Sequence, residues 1–121
     1  MRAGKFCVTL THAKDNCDKA TVAFVIANAA LGSEQDTLVF LSVEAVRLAQ
    51  RGYADDIHEP GFSPLKDLIS NFVAGGGKIY ACSPCFKRRS LDENQLIDGC
   101  VIVGGAKLVE FLADHAASVS F

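Results

Sequence analysis

Residues 75–89 read GGGKIYACSPCFKRR and combine a run of glycines, a short apolar segment, two cysteines and a basic end. Glycines in such a run are typical of the end of a helix. The apolar segment at residues 78–81 has the length and composition of a buried strand. Cys82 and Cys85 follow where a new helix can begin. The stretch therefore predicts a strand-to-helix junction that carries thiols.

Strand-like and helix-like segments alternate along the rest of the chain. The predicted strands cover residues 5–11, 37–41, 78–81, 100–103 and 118–121. The predicted helices cover residues 18–31, 42–49, 64–74 and 83–89, with a last helix after residues 104–105. The alternation predicts one α/β domain over residues 1–121, with three layers: a mostly parallel sheet of about five strands and helices on both faces.

Polar residues mark the predicted starts of three helices. Asp15 or Asn16 is the expected N-cap of the first long helix, and Ser42 and Ser63 are expected to cap the next two. Residues 53–62 are polar and irregular, with few apolar side chains to bury. We expect this loop to be among the least stable parts of the chain.

The composition is that of a globular domain with room for a core. The chain has 121 residues, half of them hydrophobic, and a formal net charge of −2. Without a basic run, a nucleic-acid partner is not expected. No apolar stretch reaches the ~18 residues that span a bilayer, so no membrane association is expected. The first residues lack the apolar core of a signal peptide, and we expect a cytoplasmic protein.

The five cysteines fall into different settings. An odd number of cysteines in a cytoplasmic chain argues against a disulfide framework. Cys7 and Cys100 lie in apolar runs and are expected to be small buried hydrophobes. Cys17 lies near the start of a helix. Only Cys82 and Cys85 stand at a strand-to-helix junction.

In an open α/β sheet, ligands bind beyond the carboxyl ends of the strands. Those ends carry Thr11 with His12, Ser42 with Glu44, Cys82, and Gly104 with Gly105. Helix amides and nearby arginines lower the pKa of a cysteine, so Cys82 is expected to be the most acidic accessible thiol. His12 is either a base or cation for that thiol, or a surface histidine.

The spacing of Cys82 and Cys85 leaves several chemistries open. Zinc needs two further ligands at suitable spacing, and no second pair exists, so no metal is expected. A thioredoxin-like redox pair is disfavoured, because the cysteines lie two-thirds along the chain and no proline follows Pro84. The third interpretation is one working cysteine with a second thiol that resolves an oxidised or persulfidated state. There is no G-x-G-x-x-G and no Walker lysine, so no nucleotide cofactor is expected.

Several segments together carry a family resemblance over nearly the whole chain. They are LVFLS at 38–42 with EAV at 44–46, GGGKIYAC at 75–82, the arginine pair at 88–89, LIDG at 96–99 and GGA at 104–106. In these the chain resembles the DsrE/DsrF-like family of small sulfur-relay proteins, including its YchN-like and TusD-like branches. Its Cys-Ser-Pro-Cys form is most similar to the stand-alone branch sometimes labelled predicted peroxiredoxins. The resemblance implies a DsrE/F-like, flavodoxin-like arrangement of layers.

The resemblance also implies roles for individual residues. Cys82 matches the cysteine that accepts persulfide sulfur in the TusD-like branch, and Arg89 matches the arginine that follows it. Ser90 stands where the family often has glycine, so a different turn is expected there. Cys85 belongs to the stand-alone branch. The family commonly forms trimers or hexamers, so a homo-oligomer with sulfur-donor and sulfur-acceptor proteins as partners is expected.

The resulting hypothesis is a small cytoplasmic sulfur-relay protein that accepts and passes sulfur as a persulfide on Cys82. It would act as a sulfurtransferase-like carrier without a cofactor, and its candidate site residues are Cys82, Cys85, His12 and Arg89. Two alternatives remain. One is a non-catalytic oligomer that binds a small molecule or a partner, and the other is a thiol redox protein that uses Cys82 and Cys85.

Overall fold

A computed structural model describes residues 4–121; Met1–Ala3, part of the segment considered for a signal peptide, lie outside the described residues. Five strands form one sheet: β1 (Lys5–Leu10), β2 (Asp36–Leu41), β3 (Lys78–Cys82), β4 (Cys100–Val103) and β5 (Ala117–Ser120). Their order is β4-β3-β2-β1-β5, and every neighbouring pair is parallel. The predicted α/β class and layered sheet are confirmed, with a strand order that differs from the 2-1-3-4-5 of flavodoxin itself.

Four α-helices connect the strands: α1 (Cys17–Gly32), α2 (Leu65–Ala74), α3 (Ser83–Arg88) and α4 (Gly105–Ala113). Short 3-10 helices cover Lys14–Asn16, Val43–Ala49, Tyr53–Asp56 and Glu93–Gln95. The described part of the chain contains no helix that is both long and apolar enough to cross a membrane.

The helices divide unequally between the two faces of the sheet. From β1 to β4 each new strand is added on the same side of the previous one, whereas β5 lies on the other side of β1, so the β4–β5 connection crosses the sheet in the opposite direction. Right-handed crossovers therefore place α1, α2 and α3 on one face and α4 on the other. The larger buried cluster includes Val8, Val39 and Ile79, on what we call the main face. The smaller cluster joins Cys7, Leu38 and Phe40 to Phe111 of α4, on what we call the α4 face.

Each of the glycines at 75–77 has a place in the turn from α2 into β3. Gly75 is the C-cap residue, and Gly76 follows in the left-handed conformation, with φ +95°. The N–H of Gly76 donates to the carbonyl of Val73 at 3.0 Å, and that of Gly77 to the carbonyl of Phe72 at 2.9 Å. This is the Schellman pattern of a helix end. Gly77 lies against the Phe72 ring, where a Cβ atom would overlap the ring.

The helix starts only partly follow the prediction. Asn16 caps α1 as expected, since its side-chain oxygen accepts a hydrogen bond from the Lys19 N–H at 3.1 Å. Ser42 makes no capping hydrogen bond, and the segment that it precedes is a 3-10 helix. Ser63 is not the cap of α2, because Pro64 precedes the first helical residue and its carbonyl accepts from the Asp67 N–H at 3.0 Å.

The predicted loop at residues 53–62 is more ordered than expected in its first half. Tyr53–Asp56 forms a 3-10 helix, and both Ala54 and Ile57 are buried. The Tyr53 hydroxyl accepts a hydrogen bond from the Lys14 N–H at 3.2 Å. The expectation of little buried surface was therefore wrong for this half, because the apolar side chains of Ala54 and Ile57 reach the core.

Candidate functional site

The carboxyl edge of the sheet has a topological switch point between β3 and β4. The chain leaves β3 through α3 on the main face and leaves β4 through α4 on the opposite face, which is the arrangement beside which open α/β sheets bind their ligands. Cys82 and Val103 are paired at the carboxyl ends of these two strands. Cys82 therefore occupies the place where open α/β sheets bind their ligands.

Cys82 is the last residue of β3 and the residue immediately before α3. It is partly exposed, whereas Ala81 before it is fully buried. Side chains alternate along a strand, so Cys82 shares the α4 face with Tyr80, and both pack against the cluster around Phe111. The thiol is thus anchored on one side and open on the other.

Cys85 lies in the first turn of α3, three residues after Cys82, and is also partly exposed. Its backbone N–H lowers the pKa of the Cys82 thiol and its own thiol raises it, so both groups lie near that sulfur. Both cysteines carry free thiols. The structure therefore brings the two members of the C-x-x-C pair together.

The pKa of the Cys82 thiol lies above its ordinary value of 9.0, not below it as the sequence suggested. Burial is the largest cause, because it disfavours the charged thiolate. The backbone N–H of Cys85 opposes this by stabilising the thiolate, while the Cys85 thiol adds to the increase. The lowering by the Cys85 N–H is outweighed because the sulfur is partly enclosed, and the arginines expected to lower the pKa are not among its causes.

Arg89 does not direct its charge at the sulfur. Its Nε donates to the Glu44 carboxylate at 2.8 Å, and its Nη1 donates to the carbonyl of Cys85 at 3.2 Å. Glu44 also binds Arg47, at i,i+3 on the 3-10 helix. The side chain of Arg89 is only 16% exposed, so this network is shielded on the arginine's side. Arg89 thereby connects the first turn of α3, which carries Cys85, with the 3-10 helix that follows β2.

Glu44 takes part in the site in a way that the sequence did not reveal. Hydrogen bonds from Arg89 and then Arg47 hold the pKa of its carboxyl below the ordinary value of 4.5. The sequence placed Glu44 at a strand end but gave no sign of this partner, because Arg89 lies 45 residues further along the chain. Next to it, Val43 is 48% exposed with φ +54°, a conformation that β-branched residues rarely adopt.

His12 lies apart from the thiols. His12 follows β1. Because β2 lies between β1 and β3, those two strands are about 10 Å apart. Its Nδ1 pairs with Asp15 Oδ2 at 2.8 Å, and the same carboxylate accepts a hydrogen bond from the Ala13 N–H. The structure therefore assembles Cys82, Cys85 and Arg89 in one place and leaves His12 on a neighbouring part of the same edge.

The other cysteines have different surroundings. Cys7 is fully buried, and burial raises the pKa of its thiol to about 11. Cys100 is partly exposed and not fully buried as expected, although desolvation still raises the pKa of its thiol to about 12. Cys17 begins α1 and is partly exposed, and its pKa is also raised, chiefly by burial. Cys17 is the most useful comparison for Cys82, since it is a partly exposed thiol away from β3.

Neither of two cavities found among residues 4–121 is lined by a cysteine. The larger, about 490 Å³, lies beside α2 and has apolar walls including Leu48, Ile69 and Val73. The smaller, about 290 Å³, lies beside α4. Within the same residues no group of three or more His, Cys, Asp or Glu side chains is arranged to hold a metal ion.

Sequence comparison relates the chain to archaeal proteins. It is 30% identical over 103 residues to the uncharacterized protein MJ0760 of Methanocaldococcus jannaschii, covering 85% of this chain and 38% of that protein. It is 28% identical over 118 residues to the uncharacterized protein MJ0989 of the same organism, covering 97% and 99%. The chain thus spans well under half of MJ0760 but nearly all of MJ0989.

Solved structures and a family profile agree with this relationship. The E. coli ychN protein superposes with a TM-score of 0.80 at 21% identity, over 98% of this chain and 99% of that one. MTH1491 from Methanobacterium thermoautotrophicum superposes with a TM-score of 0.69 at 16% identity, over 99% and 100%. These likenesses show the fold. The profile of the DsrE/DsrF-like family matches residues 4–121, and the chain therefore belongs to that family.

Proposed function

We propose that this chain is a sulfur-relay protein that accepts sulfur as a persulfide on Cys82 and passes it to a partner thiol. The observation that carries the proposal is the position of Cys82, a partly exposed thiol at the switch point of a parallel sheet. Membership of the DsrE/DsrF-like family is consistent with a role of the sulfur-relay type.

The chemistry is one thiol exchange in each direction. The Cys82 thiolate attacks the outer sulfur of a donor persulfide and forms a new S–S bond with it. The bond between that outer sulfur and the donor's cysteine sulfur breaks, and the donor cysteine leaves as a thiolate. An acceptor thiolate then attacks the outer sulfur on Cys82, which regenerates the Cys82 thiolate. Rates of such exchanges depend on thiolate fraction and access. The protein contributes an accessible sulfur whose position is fixed by the contacts of α3.

The proposed partners are proteins that present a cysteine. Small molecules usually bind in concave sites, and neither of the described cavities reaches Cys82. A thiol on an open edge suits a docked protein surface better. A donor that extends along this edge from β3 to β1 would also approach His12, which we retain as a candidate base. We place this exchange in the cytoplasm, in a homo-oligomer of three or six chains.

Sulfur uptake and delivery test the proposal directly. The wild-type chain, Cys82→Ser and Cys17→Ser are treated with inorganic polysulfide, rapidly freed of excess reagent, mixed at once with a small acceptor thiol and quenched by alkylation. Wild type and Cys17→Ser should take up sulfur and deliver it, whereas Cys82→Ser should do neither. Uptake by Cys82→Ser at the wild-type level would refute the assignment, because it would place the sulfur on another thiol.

The larger cavity favours a second candidate function. Its apolar walls carry Lys66 and Asp55 at the rim, and its volume lies in the range of small-molecule sites. In this alternative the chain is a non-catalytic binding protein whose cysteines take no part. If Cys82→Ser replaced the wild-type chain in cells without any loss of function, the binding-protein alternative would be supported over sulfur relay.

A further inference from the structure

We propose that Cys85 resolves the Cys82 persulfide within the chain and releases its outer sulfur as sulfide. This activity rests on the proposed loading of Cys82 and adds a second outcome to it. A loaded chain that meets an acceptor thiol passes sulfur on, whereas a loaded chain without an acceptor becomes a disulfide and frees hydrogen sulfide.

Spacing is the first observation behind the proposal. Cys82 directly precedes α3 and Cys85 lies in its first turn, so the two side chains lie near each other on one side of that turn. A disulfide needs Cα atoms roughly 4.4–6.8 Å apart, which residues three apart in a helical turn satisfy. In the reduced chain the thiol of Cys85 lies close enough to Cys82 to raise the pKa of that thiol. The two sulfurs can therefore join without a rearrangement of the sheet.

The second observation is how firmly Cys85 is held. Arg89 donates to the Cys85 carbonyl and to Glu44, which connects the turn to the end of β2. Both cysteines also pack against the main-face core. A thiol fixed beside its target attacks far faster than the same thiol free in solution. Other cysteines lack this placement, since Cys7 is in β1, Cys17 in α1 and Cys100 at the start of β4.

The step balances in atoms and electrons. The Cys85 thiolate attacks Sγ of Cys82, the bond between Sγ and the outer sulfur breaks, and hydrosulfide leaves. The outer sulfur gains two electrons and becomes sulfide, while the two cysteine sulfurs lose two electrons and become the disulfide. The proton from the Cys85 thiol ends on the released hydrogen sulfide in neutral solution. An external thiol reduces the disulfide before a further cycle.

A single-turnover experiment without reductant tests the proposal. Wild type, Cys85→Ser and Cys17→Ser are loaded with inorganic polysulfide, desalted rapidly and sampled over time by alkylation, intact-mass measurement and a sulfide assay. Wild type and Cys17→Ser should lose their persulfide, release one sulfide per loaded chain and gain the Cys82–Cys85 disulfide. The persulfide of Cys85→Ser should last at least about tenfold longer and release no burst of sulfide.

The outcomes separate this proposal from sulfur relay itself. If wild type keeps its persulfide as long as Cys85→Ser does, resolution by Cys85 is refuted while loading of Cys82 stands. If a correctly folded Cys85→Ser chain takes up no sulfur on Cys82, the relay proposal fails, and resolution fails with it. A Cys85→Ala chain that behaves like Cys85→Ser would show that loss of the thiol, not the new hydroxyl, explains the effect.

Discussion

At the scale of single residues, the same left-handed backbone conformation follows three helices, but only one of them has glycine there. The ends of α1, α2 and α3 share the same pair of hydrogen bonds, with Glu34, Gly76 and Ser90 at the left-handed position. Ser90 therefore keeps the glycine-type turn at the end of α3, and the different turn expected from the family resemblance is absent. Only Gly76 meets the preference for glycine at this position.

These positions predict opposite effects of exchanging glycine. Gly76→Ala should lower the free energy of unfolding by about 1 kcal/mol, because no atom lies near the added Cβ and only backbone strain changes. Ser90→Gly should raise it by about 0.5–1 kcal/mol for the same reason. Urea unfolding of both variants beside wild type measures this. A loss of stability in Ser90→Gly would mean that the serine side chain stabilises the turn.

The raised pKa of Cys82 predicts how its reactivity depends on pH. Only the thiolate reacts, so the alkylation rate of Cys82 should still be increasing above pH 9, the ordinary pKa of a thiol. Rates for the single peptide containing Cys82, measured by mass spectrometry from pH 6 to 10.5, give the titration. A plateau reached below pH 8 would contradict the burial that we infer for this sulfur.

At the scale of elements, α3 is joined to the 3-10 helix Val43–Ala49 through Glu44. Replacement of Glu44 by Gln removes the carboxylate shared by Arg47 and Arg89. We expect a loss of about 1 kcal/mol in unfolding free energy, near the upper end for partly exposed ion pairs. Sulfur resolution should also slow, because the Cys85 turn loses its contact, through Arg89, with the 3-10 helix that follows β2. Arg51→Gln, which removes an exposed ion pair with Asp98, is the control.

The stabilisation lost in Glu44→Gln should also depend on pH. The folded pKa of Glu44 is depressed, so its contribution to stability is present above the ordinary pKa of 4.5 and is lost as pH falls through the folded value. The stability difference between wild type and Glu44→Gln should therefore shrink as pH drops below 4.5. A difference that stays constant from pH 7 to pH 3 would show that the ion pairs contribute nothing.

How far the elements could be read from sequence depended on how local their causes are. The buried strands and the three-glycine end of α2 are encoded in neighbouring residues, and the structure has them. The 3-10 helix Val43–Ala49 was not predicted, and its first residue takes a left-handed conformation that is unusual for a β-branched side chain. The candidate site likewise combines features that are visible in the sequence with features that are not. The C-x-x-C spacing was visible, whereas the Glu44–Arg89 contact and the burial of Cys82 arise only in the folded chain.

At the scale of the whole molecule, the two faces of the sheet are covered unequally. The α4 face is covered by one nine-residue helix, anchored where Lys5 and Lys78 lie over the Phe111 ring at 5.2 and 6.0 Å. Val101 on edge strand β4 is 55% exposed and Val109 on α4 is 65% exposed. Alternation along the strands places Val101 on the same face as Tyr80. We expect this side of the molecule to contribute apolar area to the proposed oligomer.

A charge on that side should therefore change the assembly state. Val109→Asp is expected to shift the protein toward the monomer, because an unpaired carboxylate would be buried on association. Lys66→Asp places a carboxylate on the solvent-exposed side of α2, on the opposite face of the sheet, and is a control that should assemble as wild type does. Light scattering coupled to size-exclusion chromatography over a range of concentrations gives the mass. An unchanged mass for Val109→Asp would remove α4 from the assembly surface.

Every step proposed for this chain requires that sulfur is carried on Cys82. The most direct test maps isotopically labelled sulfur in the Cys85→Ser chain, which keeps four thiols and lacks the proposed resolving one. After loading with labelled polysulfide and alkylation, peptide mass spectrometry assigns the label to each cysteine. We predict that nearly all of it lies on Cys82, with Cys17 little labelled although it too is partly exposed. Label found chiefly on Cys17, or shared among the thiols according to exposure alone, would contradict the account.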